Sequence, residues 1–505
     1  MNPTSRHDLL ATKARRLVVV VAVIALIGSA QPAPALAQAD TLPRLGDAAG
    51  SDLSAETERR VGESIMQDLR RQRAVLDDAE LADWLNRFAQ RLSRTREARG
   101  QNLELFLLDD ASLNAFALPG GFIGVHTGLV IAAQTESELA SVLAHEIGHV
   151  AQRHIARMLA QNRESSVLSL AAVVLAMLAA GSNPQAAAGI VALGGSVHAS
   201  QMLSFSRDAE READRIGLEI LREAQFQPGD MIAFFGRMQQ ATRVYETGAP
   251  AYLRTHPLTS ERMADIQNRV FEQRYRQRVD SPDFHLVRAR LRVMADDSVD
   301  ALASVRRSFE DQISNRSFVN EAAAWYGLAV VTTAQGDFGK AREALVKAAG
   351  FLTPDGDPAR HPMLARLDIE RVRAQGRMDQ ALAMAEQAID RFDDARAIRH
   401  QKAQLLIDAK RSAEAIAFLE EERTVYRGDL TILQALARAY DDNGQTGMSH
   451  WTNAERYVLL GALSAAREQL RIAQRDPSLD FYRLSQIDVR LREIEAQIRR
   501  EQERS

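Results

Sequence analysis

The segment SVLAHEIGHVAQRH at residues 141–154 constrains the fold and the chemistry of this chain most strongly. His145 and His149 are four residues apart, so in an α-helix their side chains lie on one face and can bind one metal ion. Thr135, with an acidic residue three positions later, resembles a capping box and predicts a helix that continues to about Arg157. A metal site explains this pattern better than the alternative, a pair of histidines satisfied within the core.

Glu146 follows the first histidine and is turned by about 100° around the helix axis. It can therefore reach a water molecule at the metal more easily than it can join the ligands. A catalytic zinc site of this kind needs three protein ligands. The pattern HExxHxxGxxH does not supply the third, because Gln152 and Ile155 occupy the required positions. His154 lies five residues beyond His149, so in a continuous helix it points elsewhere and is predicted to be structural.

The segment SFSRDAEREADRIGLEI at residues 204–220 offers carboxylates for the third position. Glu210 and Asp214 are four residues apart on a predicted helix, but spacing alone does not rank them against Glu212. Two small residues would let this helix pack closely against another helix: Ala213 and Gly217. The alternative is a salt-bridged surface, because arginines are interspersed with these acids.

The first 37 residues predict a secretory signal peptide. A basic region precedes the apolar core LVVVVAVIALIGSA, and the small-residue segment PALA ends at Ala37, after which we expect cleavage. Removal of residues 1–37 leaves 59 Lys and Arg against 66 Asp and Glu, a formal net charge of −7, which does not favour nucleic acid. Cysteine is absent, which excludes disulfides and thiolate ligands. We expect a periplasmic protein; an uncleaved N-terminal anchor is the alternative.

A mainly α fold with a small β-sheet is predicted for the first domain. After a linker at 38–54, helical periodicity begins, and the apolar segments 103–110 and 118–130 predict strands inside a domain spanning 55–275. The second strand is expected to pair with an extended substrate. The apolar stretch 167–195 predicts a helical hairpin packed on the domain, or alternatively a surface for peripheral membrane contact.

Helix pairs are predicted from 284 to 492, followed by a tail at 493–505. Residues 322–354 resemble a tetratricopeptide repeat. The small residue at which one helix of a pair approaches the other recurs at four positions: Ala341, Ala381, Ala415 and, less regularly, Ala466. Such a helical solenoid exposes a concave face that binds protein. A rigid cap on the first domain is the alternative.

HEIGH followed by EREAD resembles the HExxH/ExxxD peptidase family, which includes the CaaX prenyl endopeptidases, HtpX and the BepA-like periplasmic proteases. The resemblance covers about residues 55–275 and implies one zinc ion per chain with three ligands: His145, His149 and Glu210. It also implies that Glu146 is the general base and that Asp214 is an acid that holds a ligand histidine. A signal peptide, a protease and a tetratricopeptide domain together are most similar to the BepA-like subgroup.

LRTHPLTSERM at 253–263 has a similar THPL counterpart in that subgroup. Pro257 disfavours helix at His256, which is therefore expected on an extended segment or turn. Two roles are open: His256 stabilises the developing oxyanion, or it occupies the open position of the zinc ion and keeps the enzyme latent. A loop histidine without a role is the alternative.

The sequence predicts a periplasmic zinc metalloendopeptidase that cleaves misfolded or stalled outer-membrane proteins and has possible chaperone activity. The resemblance implies a partner from the outer-membrane assembly machinery on the repeat domain. The second hypothesis is a tetratricopeptide chaperone or assembly scaffold with a latent or structural zinc domain. Glu146 separates the two, because a purely structural site does not need this carboxylate. A membrane-embedded prenyl-protein protease is disfavoured, since the chain lacks convincing spans.

Overall fold

The computed structural model describes residues 54–161, 205–244, 250–271 and 278–503. The predicted signal peptide, nearly all of the linker and the apolar stretch 167–195 lie outside these ranges. Within them, no helix combines the length and the apolar character that a membrane span requires.

The described part of the chain is mainly α-helical with a small sheet, as predicted. Its first part contains, in order, α1 (Ala55–Arg71), α2 (Ala79–Ser93), β1 (Glu104–Leu108), β2 (Ala115–Ala117), a 3-10 turn (Pro119–Gly121), β3 (Phe122–His126), α3 (Thr127–Ala132), α4 (Glu136–Ala151), α5 (His154–Gln161), α6 (Arg207–Glu223), α7 (Gly229–Val244), α8 (Ala251–Thr255) and α9 (Ser260–Phe271).

The start of α4 carries the predicted capping box. The Thr135 hydroxyl accepts a hydrogen bond from the backbone N–H of Glu138 at 3.1 Å. The Glu138 carboxylate reaches back to the N–H of Gln134 at 2.6 Å. The first contact satisfies an N–H group that a helix start leaves unpaired. The second binds the N–H of the residue before the cap, and together they fix where the helix with the two histidines begins.

The sheet has the strand order β1-β3-β2. β3 pairs with β1 in parallel and with β2 in antiparallel orientation. The expectation that the strand at 122–129 pairs with substrate is therefore wrong, because both edges of β3 already have partners. On that side of the sheet the edge strand is β2. After β3 the chain enters helix α3 at Thr127.

The predicted continuous helix to Arg157 is interrupted. α4 ends at Ala151, and Arg153 has φ 51°, a left-handed conformation in which an α-helix cannot continue. The guanidinium of Arg153 pairs with Glu58 of α1, its Nε lying 2.9 Å from Oε1. A new helix then begins at His154.

α4 and α6 cross closely, as the small residues predicted. A Cβ added to Gly148 would lie 2.9 Å from the carbonyl oxygen of Ala213, and one added to Gly217 would lie 3.2 Å from the backbone nitrogen of His145. Only residues with little or no side chain permit this approach. The crossing brings the histidine pair of α4 against the acidic residues of α6.

Helix pairs follow: α10 (Pro282–Met294), α11 (Val299–Ser314), α12 (Glu321–Ala334), α13 (Phe338–Leu352), α14 (Pro362–Ala374), α15 (Met378–Arg391), α16 (Arg396–Asp408), α17 (Ser412–Val425), α18 (Leu430–Asp442), α19 (Thr446–Leu459), α20 (Leu463–Gln474) and α21 (Phe481–Gln502). The four alanines named above are fully buried. The helical repeat class is thus as expected, while the domain boundaries remain predictions.

The repeat helices pack back onto the first helices of the chain. Arg290 of α10 and Arg366 of α14 bind Asp78 at the start of α2, at 2.7 and 3.0 Å. Farther along, Arg396 of α16 lies 2.7 Å from Asp83. The guanidinium of Arg71 in α1 donates to the carbonyl of Leu460, between α19 and α20, at 2.6 Å. One hydrophobic cluster extends from α2 to α14.

Candidate metal centre

Four buried side chains from three parts of the chain converge on one point: His145 and His149 from α4, Glu210 from α6, and His256 just after α8. The Nε2 atoms of His145 and His149 are 3.0 Å apart, and each lies 3.4 Å from an oxygen of Glu210. Nδ1 of His256 lies 3.4 Å from Nε2 of His145 and 3.0 Å from Oε1 of Glu210. Tetrahedral zinc with bonds of about 2.0–2.1 Å holds its ligand atoms about 3.3 Å apart, so the spacing fits such an ion.

The electrostatics of the cluster also suit a cation. Burial alone would lower the pKa of His145, but hydrogen bonds to Asp214 and Glu210 raise that pKa to about 9. The same carboxylates that favour a proton here favour a metal ion. Burial holds the pKa of His149 well below its usual range, so this imidazole is neutral, the form that binds metal.

Glu146 lies beside the four clustered side chains with one oxygen anchored and the other free. Its Oε2 accepts a hydrogen bond from the backbone N–H of Ala117 in β2 at 3.0 Å. Its buried Oε1 has no hydrogen-bond partner among the described residues and lies 3.5 Å from Nε2 of His256. Burial raises the pKa of Glu146. A carboxylate held in this way is suited to accept a proton.

Asp214 contacts a histidine of the cluster from outside. Its Oδ1 accepts a hydrogen bond from Nδ1 of His145 at 2.9 Å. It is buried, as is Glu210, so the alternative of a salt-bridged surface does not apply to these two acids. Glu212, by contrast, turns towards His154 and lies outside the cluster.

Arg262 of α9 is a functional candidate that the sequence did not reveal. Its guanidinium donates to both oxygens of Asp214 at 2.8 Å and to the carbonyl of Pro257 at 2.9 Å. Nη1 also lies 2.6 Å from Oε2 of Glu210. The side chain is almost fully buried. The one signal for it in the sequence is its place in the 253–263 segment, six residues after His256.

His256 lies in the cluster and is not on a solvent-exposed loop. Its backbone is not helical, as Pro257 predicted, with φ −121° and ψ 74°. Its N–H bonds to the carbonyl of Tyr252 at 2.8 Å, and the Tyr252 ring stacks on the imidazole with centroids 4.6 Å apart. The imidazole thus belongs to the same buried cluster as His145, His149 and Glu210.

The prediction that His154 points away from the histidine pair is wrong. Its Nδ1 lies 2.8 Å from Nδ1 of His149, and its Nε2 lies 3.1 Å from Oε2 of Glu212. The reason is the break at Arg153, which the sequence did not signal.

The model of peptidase family M48 matches residues 79–270. The chain is 31% identical over 484 residues to the beta-barrel assembly-enhancing protease of Escherichia coli (strain K12), which covers 94% of this chain and 96% of that protein. It is 28% identical over 459 residues to the protein of the same name from Yersinia pestis, with 90% and 92% covered. It is also 30% identical over 236 residues to the mitochondrial metalloendopeptidase OMA1 of Arabidopsis thaliana, with 45% and 44% covered.

Proposed function

The chain belongs to peptidase family M48, and on that premise we propose that it is a zinc endopeptidase of the cell envelope that cleaves misfolded or stalled outer-membrane proteins. The observation that carries the proposal is the buried cluster of His145, His149 and Glu210. Beside it lies the carboxylate of Glu146, of which only Oε2 accepts a hydrogen bond from the described residues. The name of the relatives, which refers to the assembly of beta-barrels, supports outer-membrane proteins as the substrate class.

We assign the ligand roles to His145, His149 and Glu210. A bound zinc ion supplies Lewis-acid activation of a water molecule and of the scissile carbonyl. Glu146 takes a proton from the water with its free Oε1 and later delivers it to the leaving amine. Its Oε2 stays anchored to β2 during this transfer, which keeps the carboxylate oriented.

Substrate alignment is assigned to β2 instead of β3. An extended peptide can add to the outer edge of β2 through backbone hydrogen bonds, which are indifferent to most side chains. The link between Ala117 and Glu146 ties that edge to the general base. This mode of binding suits unfolded clients of varied sequence.

We infer that His256 is a brake. A tetrahedral zinc site with four protein ligands has no position for water, whereas a catalytic site keeps one open. Nδ1 of His256 lies 3.4 Å from Nε2 of His145 and 3.0 Å from Oε1 of Glu210, a spacing that supports His256 as a fourth ligand in place of water. Activity then requires the segment around His256 to withdraw.

A protein partner on the repeat helices completes the proposal. Helices α17, α18, α19 and α21 line a cavity of about 630 Å³ with apolar, aromatic and charged side chains, among them Tyr440, Met448, Trp451 and Arg483. Such a lining suits a protein segment.

The proposed partner is the outer-membrane assembly machinery. The proposed location is the periplasm, after cleavage of the signal peptide behind Ala37. This cavity also favours the second candidate, a chaperone with a latent zinc domain.

The test is cleavage of an unfolded outer-membrane protein by the purified protein and by four variants at equal zinc content: His256→Ala, Glu146→Gln, the two combined, and His400→Ala. We expect His256→Ala to cut faster than the wild type, and Glu146→Gln to abolish cutting in either background. His400→Ala, in the repeat helix α16, is the control and should cut like the wild type. If no form cleaves the client while all forms bind zinc and prevent its aggregation, the chaperone hypothesis is correct.

A further inference from the structure

The turn between α4 and α5 brings His154 back against His149. In a continuous helix a residue five positions later points about 140° away. The left-handed backbone of Arg153 redirects the chain, so the two Nδ1 atoms lie 2.8 Å apart. Both imidazoles are buried, with exposures of 0% for His149 and 2% for His154. This contact therefore depends on a specific backbone feature.

His154 also contacts helix α6 through the carboxylate of Glu212. Nε2 of His154 lies 3.1 Å from Oε2 of Glu212, and Nη1 of Arg157 lies 3.0 Å from the same oxygen. Glu212 therefore lies within hydrogen-bond distance of both the His154 ring and the Arg157 guanidinium.

If His149 binds a metal ion, the hydrogen bonds from His149 through His154 to Glu212 allow one arrangement of protons. Nε2 of His149 faces the cluster, 3.0 Å from Nε2 of His145. A nitrogen that binds a metal carries no proton, so the neutral ring of His149 carries its proton on Nδ1. That proton is donated to Nδ1 of His154, which must be unprotonated. His154 then carries its own proton on Nε2 and donates it to Glu212.

We propose that His154 and Glu212 are positioning residues that hold His149 in the tautomer and orientation that bind metal. The inference rests on the proposed role of His149 as a ligand. Metal-binding histidines usually donate their second N–H to an acceptor that fixes the ring. His145 has such an acceptor directly in Asp214, whereas His149 reaches its carboxylate through a second imidazole.

Helix α6 thereby provides one of the three proposed ligands and the carboxylates that orient the other two. Glu210 is a ligand itself, Glu212 orients His149 through His154, and Asp214 orients His145. The face of His149 is further covered by the ring of Phe205, stacked with centroids 3.9 Å apart. These contacts restrict rotation of the imidazole about its side-chain bonds.

The experiment measures zinc affinity of the purified full chain by competition with a chromophoric chelator. His154→Phe keeps a ring and removes both hydrogen bonds, and we expect affinity to fall by about 10- to 100-fold. His154→Asn keeps an acceptor near the Nδ1 position, and its loss should be clearly smaller. Glu212→Ala changes a partly exposed side chain and should weaken zinc binding by about 10-fold.

The control is His400→Phe, the same exchange at a histidine that lies 3.0 Å from the carboxylate of Asp429 in the repeat helices. It should bind zinc like the wild type. Equal losses in His154→Phe and His154→Asn would indicate packing alone and overturn the proposal, as would an affinity of His154→Phe within about threefold of the wild type.

If His154→Phe does not fold, Glu212→Ala decides, and unchanged affinity in that variant refutes the relay. His149→Ala separates this inference from the proposed function. If His149→Ala binds zinc like the wild type, His149 is not a ligand and both proposals fail at this residue. If it loses zinc while the His154 and Glu212 variants do not, only the relay is wrong.

Discussion

Oδ1 of Asp214 lies 2.9 Å from Nδ1 of His145, and both oxygens of the same carboxylate are bound by Arg262. Burial would raise the pKa of Asp214, but hydrogen bonds from Arg262 and His145 hold it below its ordinary value. The same guanidinium binds the carbonyl of Pro257, next to His256. One arginine therefore links the orientation of a proposed ligand to the segment that carries His256.

Asp214→Asn should weaken zinc binding by about 10- to 100-fold, because an amide orients the His145 ring less strongly than a carboxylate. Chelator competition measures the effect. Asp208→Asn lies on the same helix with 89% of its side chain exposed, and it should bind zinc like the wild type. Equal affinity of the two variants would contradict the role of Asp214.

Arg262→Lys should destabilise the protein by about 3 kcal/mol, since a single ammonium cannot bind Asp214, Glu210 and the Pro257 carbonyl together and leaves buried charge poorly compensated. Urea unfolding provides the free energy. The matched exchange Arg211→Lys affects an exposed ion pair with Asp208 and should leave the urea midpoint of unfolding unchanged. A comparable effect at both positions would refute this explanation.

Gly148→Ala should separate α4 from α6, because the added Cβ would meet the carbonyl of Ala213 at 2.9 Å. We expect a loss of about 1–3 kcal/mol in unfolding free energy together with weaker zinc binding. Gly236→Ala, in α7 with no atom within 4 Å of the added carbon, is the control. It should raise stability by about 0.5–1 kcal/mol and leave zinc affinity unchanged.

Asp78→Asn tests how the first helices are joined to the repeats. Burial would raise the pKa of Asp78, but the charges of Arg290 and Arg366 hold it far below its usual value. A depressed pKa stabilises the fold above about pH 4, and this stabilisation is lost as the pH falls towards the lower value.

At pH 7 the variant should therefore unfold at a lower urea concentration, with a loss of up to about 3 kcal/mol in the free energy of unfolding. The difference from the wild type should shrink as the pH falls below about 4. Asp393→Asn, at an exposed position, should show no such trend. A difference independent of pH would contradict the electrostatic explanation.

The histidine pair was predictable because its geometry depends on local structure alone. Once Thr135 fixes the start of α4, helical periodicity places His145 and His149 on one face. The close approach of α6 was also predictable, from its small residues. The choice among Glu210, Glu212 and Asp214 was not, since it depends on how α6 is rotated against α4, and only the family resemblance ranked them.

The contacts of Arg262 and His154 depend on features that have no local pattern. Arg262 is one of 63 basic residues and acquires its partners through the packing of α9. His154 was misplaced because the left-handed residue at Arg153 is not a glycine and has no sequence signature of a helix end. The role of β3 was misjudged because strand order is a tertiary property.

The hydrogen bond from Arg71 to the Leu460 carbonyl spans 389 positions of the chain. An open array of repeats can fray from its free end, and the loss can spread unit by unit. Here a late turn of the array is fastened to the first described helix, so that route is blocked at this point. The repeats and the peptidase helices should therefore melt in a single cooperative transition, and a change that loosens this turn of the array should also disturb α1.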